Sequence, residues 1–287
     1  MRIGIAVKPG LIEAGDTLAD IDQWLRDRGV DAVWSHEASE LLAPASRVVV
    51  DRAHMPADLD LVLVLGGDGT LLAMAKANAE AGRDLPLLAV NFGALGFLTE
   101  ITRPEIYASL DAVLQGRATH DERMMLRAVA TRRGTASTHV ALNDIVFTRT
   151  ALSRMIELAV WVGDQFVASV KADGLIIASP TGSTAYNLAA GGPIVHPAMN
   201  AMVVTPIAPH TLTNRPIVIP AEREVRVKST SSNAGHVYVT FDGQTGFELH
   251  EGDEIAISRA SRPLRLVRAS ARSYFEVLRQ KLKWNER

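Results

Sequence analysis

The chain has 287 residues, of which 47% are hydrophobic and 22% charged, with a formal net charge of −2. That balance describes a globular chain, since disorder needs fewer apolar residues and a stronger charge bias. It carries no basic excess for nucleic acid and no unbroken apolar run for a membrane span, and its length suits about two domains of roughly 150 residues each.

With no cysteine, disulfides, thiolate metal sites, iron–sulfur clusters and cysteine nucleophiles are excluded together. This usage fits a reducing cytoplasm, and the apolar opening run meets Lys8-Pro9-Gly10 too soon for a signal peptide. The eight histidines are scattered without an HxH or HxxxH pair, so no structural metal is expected.

In chain order, residues 3–7 open as a β-rich run. Residues 16–28 follow with Leu18, Ile21, Trp24 and Leu25 at helical spacing, and Gly29 supplies the stop. Residues 30–34 read as the next strand. Residues 61–65, Leu-Val-Leu-Val-Leu, are apolar without alternation, as in a strand buried on both faces of a parallel sheet. Gly66-Gly67-Asp68-Gly69-Thr70 ends that run, and residues 71–79 have helix-forming composition. Residues 87–90 form another buried strand, ending at Asn91-Phe92-Gly93. Strand and helix alternate, so residues 1–120 are read as an α/β domain with an open, mostly parallel sheet.

Near residues 116–121 the texture changes. Short Val-, Ile-, Thr- and Phe-rich runs at 145–148, 159–162, 165–170, 175–178, 203–207, 217–219, 225–228, 237–241 and 254–258 are separated by Gly, Asn, Asp and Pro. Residues 121–270 are therefore read as a β-rich, mostly antiparallel domain. Residues 271–287 form a tail, helical over 273–284 with Phe275, Leu278 and Leu282 at helical spacing. An isolated helix of this length is marginal, so it is expected to pack back on the N-terminal domain.

Five clusters could carry chemistry. In GGDGT at 66–70 a buried strand hands over to a helix, the place where open α/β sheets bind ligands. Glycines admit a phosphate close to the backbone, and the helix N-terminus favours an anion. Asp68 does not suit a pure phosphate cradle, because a carboxylate repels phosphate. It suits a base for a hydroxyl or a metal partner; the plainer alternative is a turn with Asp68 as helix cap. NFGALGFL at 91–98 offers turn glycines and Phe92 as a cover for a flat ring, or simply a glycine loop with core aromatics. Asn143-Asp144 could present an amide and a carboxylate to a ribose diol, or form a turn between strands. Residues 171–194 are a run of small and hydroxyl residues around Tyr186 that buries little apolar area, leaving room for a ligand. Ser183 there lacks a GxSxG setting and a sequence-placed histidine, which removes a serine hydrolase. Phe241-Asp242-Gly243-Gln244 reads as a hairpin turn. The P-loop and the GxGxxG dinucleotide fingerprint are both absent.

In this order, GGDGT, NFGALGFL, LND at 142–144, KADGLIIASPTGSTAYNLAAGGPI at 171–194 and FDGQ at 241–244 resemble the NAD kinase family, bacterial members in particular. The resemblance spans nearly the whole chain. The fourth motif is the most specific, whereas GGDG alone also occurs in lipid kinases and phosphofructokinases. The resemblance implies transfer of a phosphoryl group from ATP, with Mg²⁺, to the adenosine ribose 2′-hydroxyl of NAD, giving NADP. It implies a homodimer or homotetramer. Carried over by position, Asp68 would be the general base. Gly66, Gly67, Gly69 and Thr70 would form the phosphate-donor turn. Gly69, Asn143 and Asp144 would hold NAD, Asp173 would make a polar contact, and Thr184, Ala185, Tyr186, Asn187, Leu188 and Ala189 would line the pocket with Tyr186 stacking on a ring. Arg154, Lys171, Ala208 and Gln244 match further dinucleotide contacts. Some relatives have Arg where this chain has Lys171, and some have His where it has Gln244, which leaves the use of polyphosphate as donor open.

Two rivals compete. A lipid or sugar kinase sharing the GGDG turn would need a greasy or sugar-phosphate pocket, and the polar run at 179–187 opposes a lipid. A non-catalytic NAD or NADP sensor on the same scaffold has no use for Asp68.

Overall fold

The computed structural model describes all residues except 94–95, 150–154, 212, 231–236, 269–271 and 285–287. The chain divides into two compact units, one of Met1–Glu122 with Leu264–Arg287 and one of Arg123–Pro263.

The first unit is built on one sheet. Strands β1 (Arg2–Val7), β2 (Asp31–Ser35), β3 (Val48–Val50), β4 (Leu61–Gly66) and β5 (Leu87–Asn91) lie in the order β3-β2-β1-β4-β5, all parallel. Every residue of β4 and β5 is buried, as the unalternating apolar runs require. Helix α1 (Gly15–Asp27) lays Leu18, Ile21 and Leu25 on the sheet, and Gly29 follows it at φ +64°, where a side chain would be strained. Helix α2 (His36–Glu40) is capped by the Ser35 hydroxyl. Helix α3 (Asp68–Glu80) starts directly at the end of β4.

The strand order reverses between β1 and β4, since the chain leaves β1 toward β2 and leaves β4 toward β5. Their carboxyl ends form the topological switch point of the sheet. Lys8 N–H donates to the Leu65 carbonyl at 2.9 Å there, which closes the crevice floor beside Gly66.

Strand Leu264–Arg268 also belongs to this sheet, with Leu266 paired in parallel to Leu87. The chain therefore leaves the second unit at Pro263, ahead of the boundary expected at 270. Short β segments of similar texture occur in both units, so composition marks the first crossing and not the return. Helix Tyr274–Leu282 is capped by Ser273 in a capping box with Glu276. It buries Val277 and Leu278 and half-buries Leu282, while Phe275, expected on the same inner face, is exposed. Arg272 pairs with Glu105 at 2.7 Å and anchors the tail within the first unit.

The second unit is a sandwich of two six-stranded antiparallel sheets. One has the order 217–220, 201–207, 174–178, 144–149, 237–241, 245–249; the other, 165–172, 156–162, 225–229, 254–259, 126–132, 135–141. One core joins them, with Ile145, Phe147, Leu175, Ile177 and Phe241 from the first sheet against Leu126, Leu158, Val160, Val227 and Ile257 from the second. The outer face of the first sheet is also covered: Val146, Ile176, Ala178 and Val203 pack with Val195. That second layer explains why Gly174–Ala178 is wholly buried and why residues after 178 are held in place.

Candidate functional site

In the first unit, Gly66 closes β4 and Gly67 is the N-cap of α3, with Asp68 its first residue. A Cβ at Gly66 would overlap the Thr70 side chain, which is why the strand must end on glycine. Asp68 does not cap its helix. Its carboxylate reaches across to the segment after β5: Oδ2 accepts from Phe97 N–H at 2.9 Å, and Oδ1 from Leu98 N–H at 3.3 Å, Thr99 N–H at 3.0 Å and the Thr99 hydroxyl at 2.8 Å. A Cβ at Gly96 would overlap both Asp68 Oδ1 and Thr99 Oγ1. The second glycine of the 91–98 motif is thus required by close approach, not only by turning. Phe92 N–H donates to the Gly66 carbonyl at 3.0 Å, so the two motifs form one cluster at the carboxyl ends of β4 and β5. Gly69 is exposed and Thr70 buried. Ala94 and Leu95 lie outside the described residues.

A cavity of about 820 Å³ in the same unit opens at the opposite ends of these strands, lined by Asp60, Leu61, Asp84, Leu85, Pro86 and Arg265 among others. Arg265 and Asp84 neutralise one another at 2.9 Å. At the switch point, by contrast, glycines, a carboxylate and a helix N-terminus converge.

In the second unit, three motifs meet. Asp242, at φ +51°, aims its carboxylate at the turn before strand Asp144–Arg149 and accepts from Leu142, Asn143 and Asp144 N–H at 2.8, 2.7 and 3.1 Å. The Ser179 hydroxyl donates to the Leu142 carbonyl at 2.5 Å, and Ser179 N–H to the Asn143 carbonyl at 2.8 Å. Gly182 packs on the Asn143 backbone so closely that a Cβ would overlap it. Asn143 is half-buried, and Asp144 is buried at 5% exposure. Burial, with the Asp242 charge beside it, pushes the Asp144 carboxyl up to about 7. Near neutrality it can therefore donate or accept a hydrogen bond.

The small-residue run is used partly for packing, contrary to the expectation of ligand space. Thr181–Thr184 forms a 3₁₀ turn and Tyr186–Ala189 a helical turn. Asn187 is fully buried: its Nδ2 donates to the Ser183 and Pro193 carbonyls at 2.9 and 3.0 Å, and its Oδ1 accepts from Thr205 at 2.6 Å. Gly192 lies against it with no room for a Cβ. Asn187 thus holds the loop together, and Ser183, within bonding distance of the Pro180 and Val195 carbonyls, is equally committed. Thr184 and Ala185 are half-buried, Leu188 is half-buried, Ala189 is exposed, and Tyr186 is 44% exposed, with its ring accessible.

The remaining candidates are more dispersed. Lys171 pairs with Glu157 at 2.8 Å and Asp173 with Arg149 at 3.0 Å. Ala208 is exposed at φ +43°, and Gln244 is exposed in the turn after Phe241. Arg154 lies outside the described residues. The roles of Thr99, Asp242 and Ser179 were not found from sequence. Each is a polar residue at a turn, and spacing does not say which distant backbone a side chain holds.

The ATP-NAD kinase N-terminal domain family matches residues 3–118, and the ATP-NAD kinase C-terminal domain family residues 142–269. An NAD kinase of Syntrophotalea carbinolica is 45% identical over 287 residues, covering 100% of this chain and 99% of that protein. One of Geobacter metallireducens is 47% identical over 92% of each chain. Yeast NADH kinase complexed with NADH has the same fold at TM-score 0.89 and 24% identity, covering 100% of this chain and 88% of its own. An Archaeoglobus fulgidus NAD kinase in complex with ATP follows at TM-score 0.74 and 24% identity, covering 99% of each. With both domain families matched in order and this identity kept along the full length, the chain belongs to the NAD kinase family.

Proposed function

We propose that this enzyme phosphorylates the adenosine ribose 2′-hydroxyl of NAD from ATP, giving NADP, with Asp68 as general base. The 2′-oxygen attacks the γ-phosphorus as its proton passes to the Asp68 carboxylate; the bond from that phosphorus to the bridging oxygen breaks, and ADP leaves. The observation that carries this reading is the placement of a carboxylate, braced by four donors, at the switch point of the sheet. The relatives named NAD kinase supply the substrate.

Phosphoryl transfer needs little covalent help; alignment and charge neutralisation do most of the work. In this reading Gly66, Gly67, Gly69 and Thr70 present the α3 N-terminus to the donor phosphates. Asn143 and Asp144 hold ribose hydroxyls, Tyr186 stacks on a ring, and Thr184, Ala185, Leu188 and Ala189 line the dinucleotide. Asp173, Lys171, Ala208 and Gln244 add outer contacts, and Asn187 keeps the loop in shape. Among the described residues no group of three or more His, Asp or Glu side chains could hold a metal. In this reading Mg²⁺ enters with ATP as the MgATP substrate and supplies charge neutralisation on the phosphates. Among the described residues no helix is long and apolar enough to cross a membrane; a cytoplasmic homodimer or homotetramer is part of the same proposal.

The test is purified protein with NAD, ATP and Mg²⁺, coupled to an NADP-specific dehydrogenase. Steady NADP formation is expected. Tight NAD binding without product would favour a sensor, and labelled phosphate on a lipid or sugar instead of NAD would favour the other kinases.

A further inference from the structure

We propose that Thr99 is a positioning residue for Asp68, holding Oδ1 of the carboxylate so that Oδ2 is the oxygen that receives the substrate proton. The proposal rests on the reading of Asp68 as base and goes beyond it, because it assigns the two carboxylate oxygens different tasks and names the side chain that separates them.

The directions of the hydrogen bonds are settled by their neighbours. Asn91 Oδ1 accepts from Gly93 N–H at 2.6 Å, which fixes its amide with Nδ2 on the other side. That Nδ2 donates to Thr99 Oγ1 at 2.8 Å. A hydroxyl has one proton, and the carboxylate can only accept, so the Thr99 proton points at Asp68 Oδ1, 2.8 Å away. Asn91 and Thr99 are both buried, at 6% and 1% exposure. Asn91 and Thr99 are therefore shielded from water, Asp68 is half-buried, and each member of the chain Asn91 to Thr99 to Asp68 fixes the next.

The load on the two oxygens is unequal. Among the described residues, Oδ1 accepts three hydrogen bonds and Oδ2 one, from Phe97 N–H. A carboxylate oxygen has about two lone-pair sites. Oδ1 is filled, and Oδ2 keeps a position for an incoming proton. Since alignment supplies much of the rate in such reactions, a small rotation of the carboxylate is costly. Backbone donors reach both oxygens, Phe97 N–H on Oδ2 and Leu98 and Thr99 N–H on Oδ1, and the Thr99 hydroxyl is the side-chain donor that adds the third bond to Oδ1 and stops the group turning.

The experiment measures kcat and the KM values for NAD and ATP in NADP formation for Thr99→Val and Thr99→Ser, each in the Asp68 enzyme and in Asp68→Asn. Thr99→Val is expected to lower kcat about tenfold with both KM values within about twofold. Thr99→Ser, which keeps the donor, is expected to restore kcat to within about threefold of the parent. In the Asp68→Asn background, Thr99→Val is expected to change nothing further. If Thr99→Val fails to fold, Thr99→Ala in the same two backgrounds gives the same comparison. Equal losses in both backgrounds, or an unchanged kcat in the Asp68 enzyme, overturn the role of Thr99 and leave the base intact. Near-normal turnover in Asp68→Asn alone overturns the base and Thr99 with it.

Discussion

Asp242 accepts a 2.7 Å hydrogen bond from the backbone N–H of Asn143, a residue far behind it in the chain. With the bonds from Leu142 and Asp144, one carboxylate holds an entire turn. The motif that read as a plain hairpin is thus also a clamp on the residues proposed to hold the ribose.

Asp242→Ala leaves three N–H groups without their acceptor and places a Cβ-bearing residue at φ +51° with no local side-chain compensation. A stability loss of about 3 kcal/mol is expected from urea unfolding, accompanied by weaker NAD binding. Asp242→Asn keeps one acceptor oxygen and a residue tolerant of that backbone, and should lose about half as much.

Asp144 makes stability depend on pH. Burial and the Asp242 charge raise its carboxyl from 3.8 to about 7. Between those values the unfolded chain has released the proton and the folded one keeps it. The contribution is therefore full below pH 4 and is lost as pH rises to about 7, by about 4 kcal/mol at most. Urea unfolding from pH 4 to 8 should show Asp144→Asn gaining on the parent as pH rises. Parallel curves would remove the coupling.

Asn187→Ala empties a buried position whose amide bonds three partners. About 3 kcal/mol of stability should be lost, and NAD affinity should fall because the 181–193 loop loses its pin. Chemical unfolding and calorimetric NAD titration of the same variant check both.

Gly96→Ala drives a methyl group into Asp68 Oδ1 and Thr99 Oγ1. Turnover should fall at least tenfold while the KM for NAD changes much less. A steady-state comparison with Gly93→Ala, whose Cβ would meet only Asn91 Oδ1 at 3.8 Å, separates close approach from loop flexibility.

Much of the fold is legible in the sequence because burial writes itself in period. Residues 61–65 and 87–90 have no alternation and are central parallel strands. Residues 225–228 and 237–241 alternate and are sandwich strands with one face inward. Strands 126–132 and 135–141 were missed because their buried positions are mostly Ala, which carries little apolar signal. The return at Leu264 was missed because a parallel partner can come from any distance in sequence. Glycines mark where chain segments approach closely, as Gly66, Gly96 and Gly182 do. They do not name what approaches, and so Thr99, Ser179 and Asp242 stayed hidden. Within the run at 171–194 read as ligand space, Asn187 and Ser183 also bond the loop's own carbonyls, a use that composition does not reveal.

The most direct measurement is the turnover of Asp68→Asn in NADP formation, with NAD binding to the same variant followed by calorimetry. Removing the base while keeping the shape should lower kcat by about two orders of magnitude or more, with NAD still bound. A variant that turns over near the parent rate would show that the 2′-hydroxyl proton leaves by another route.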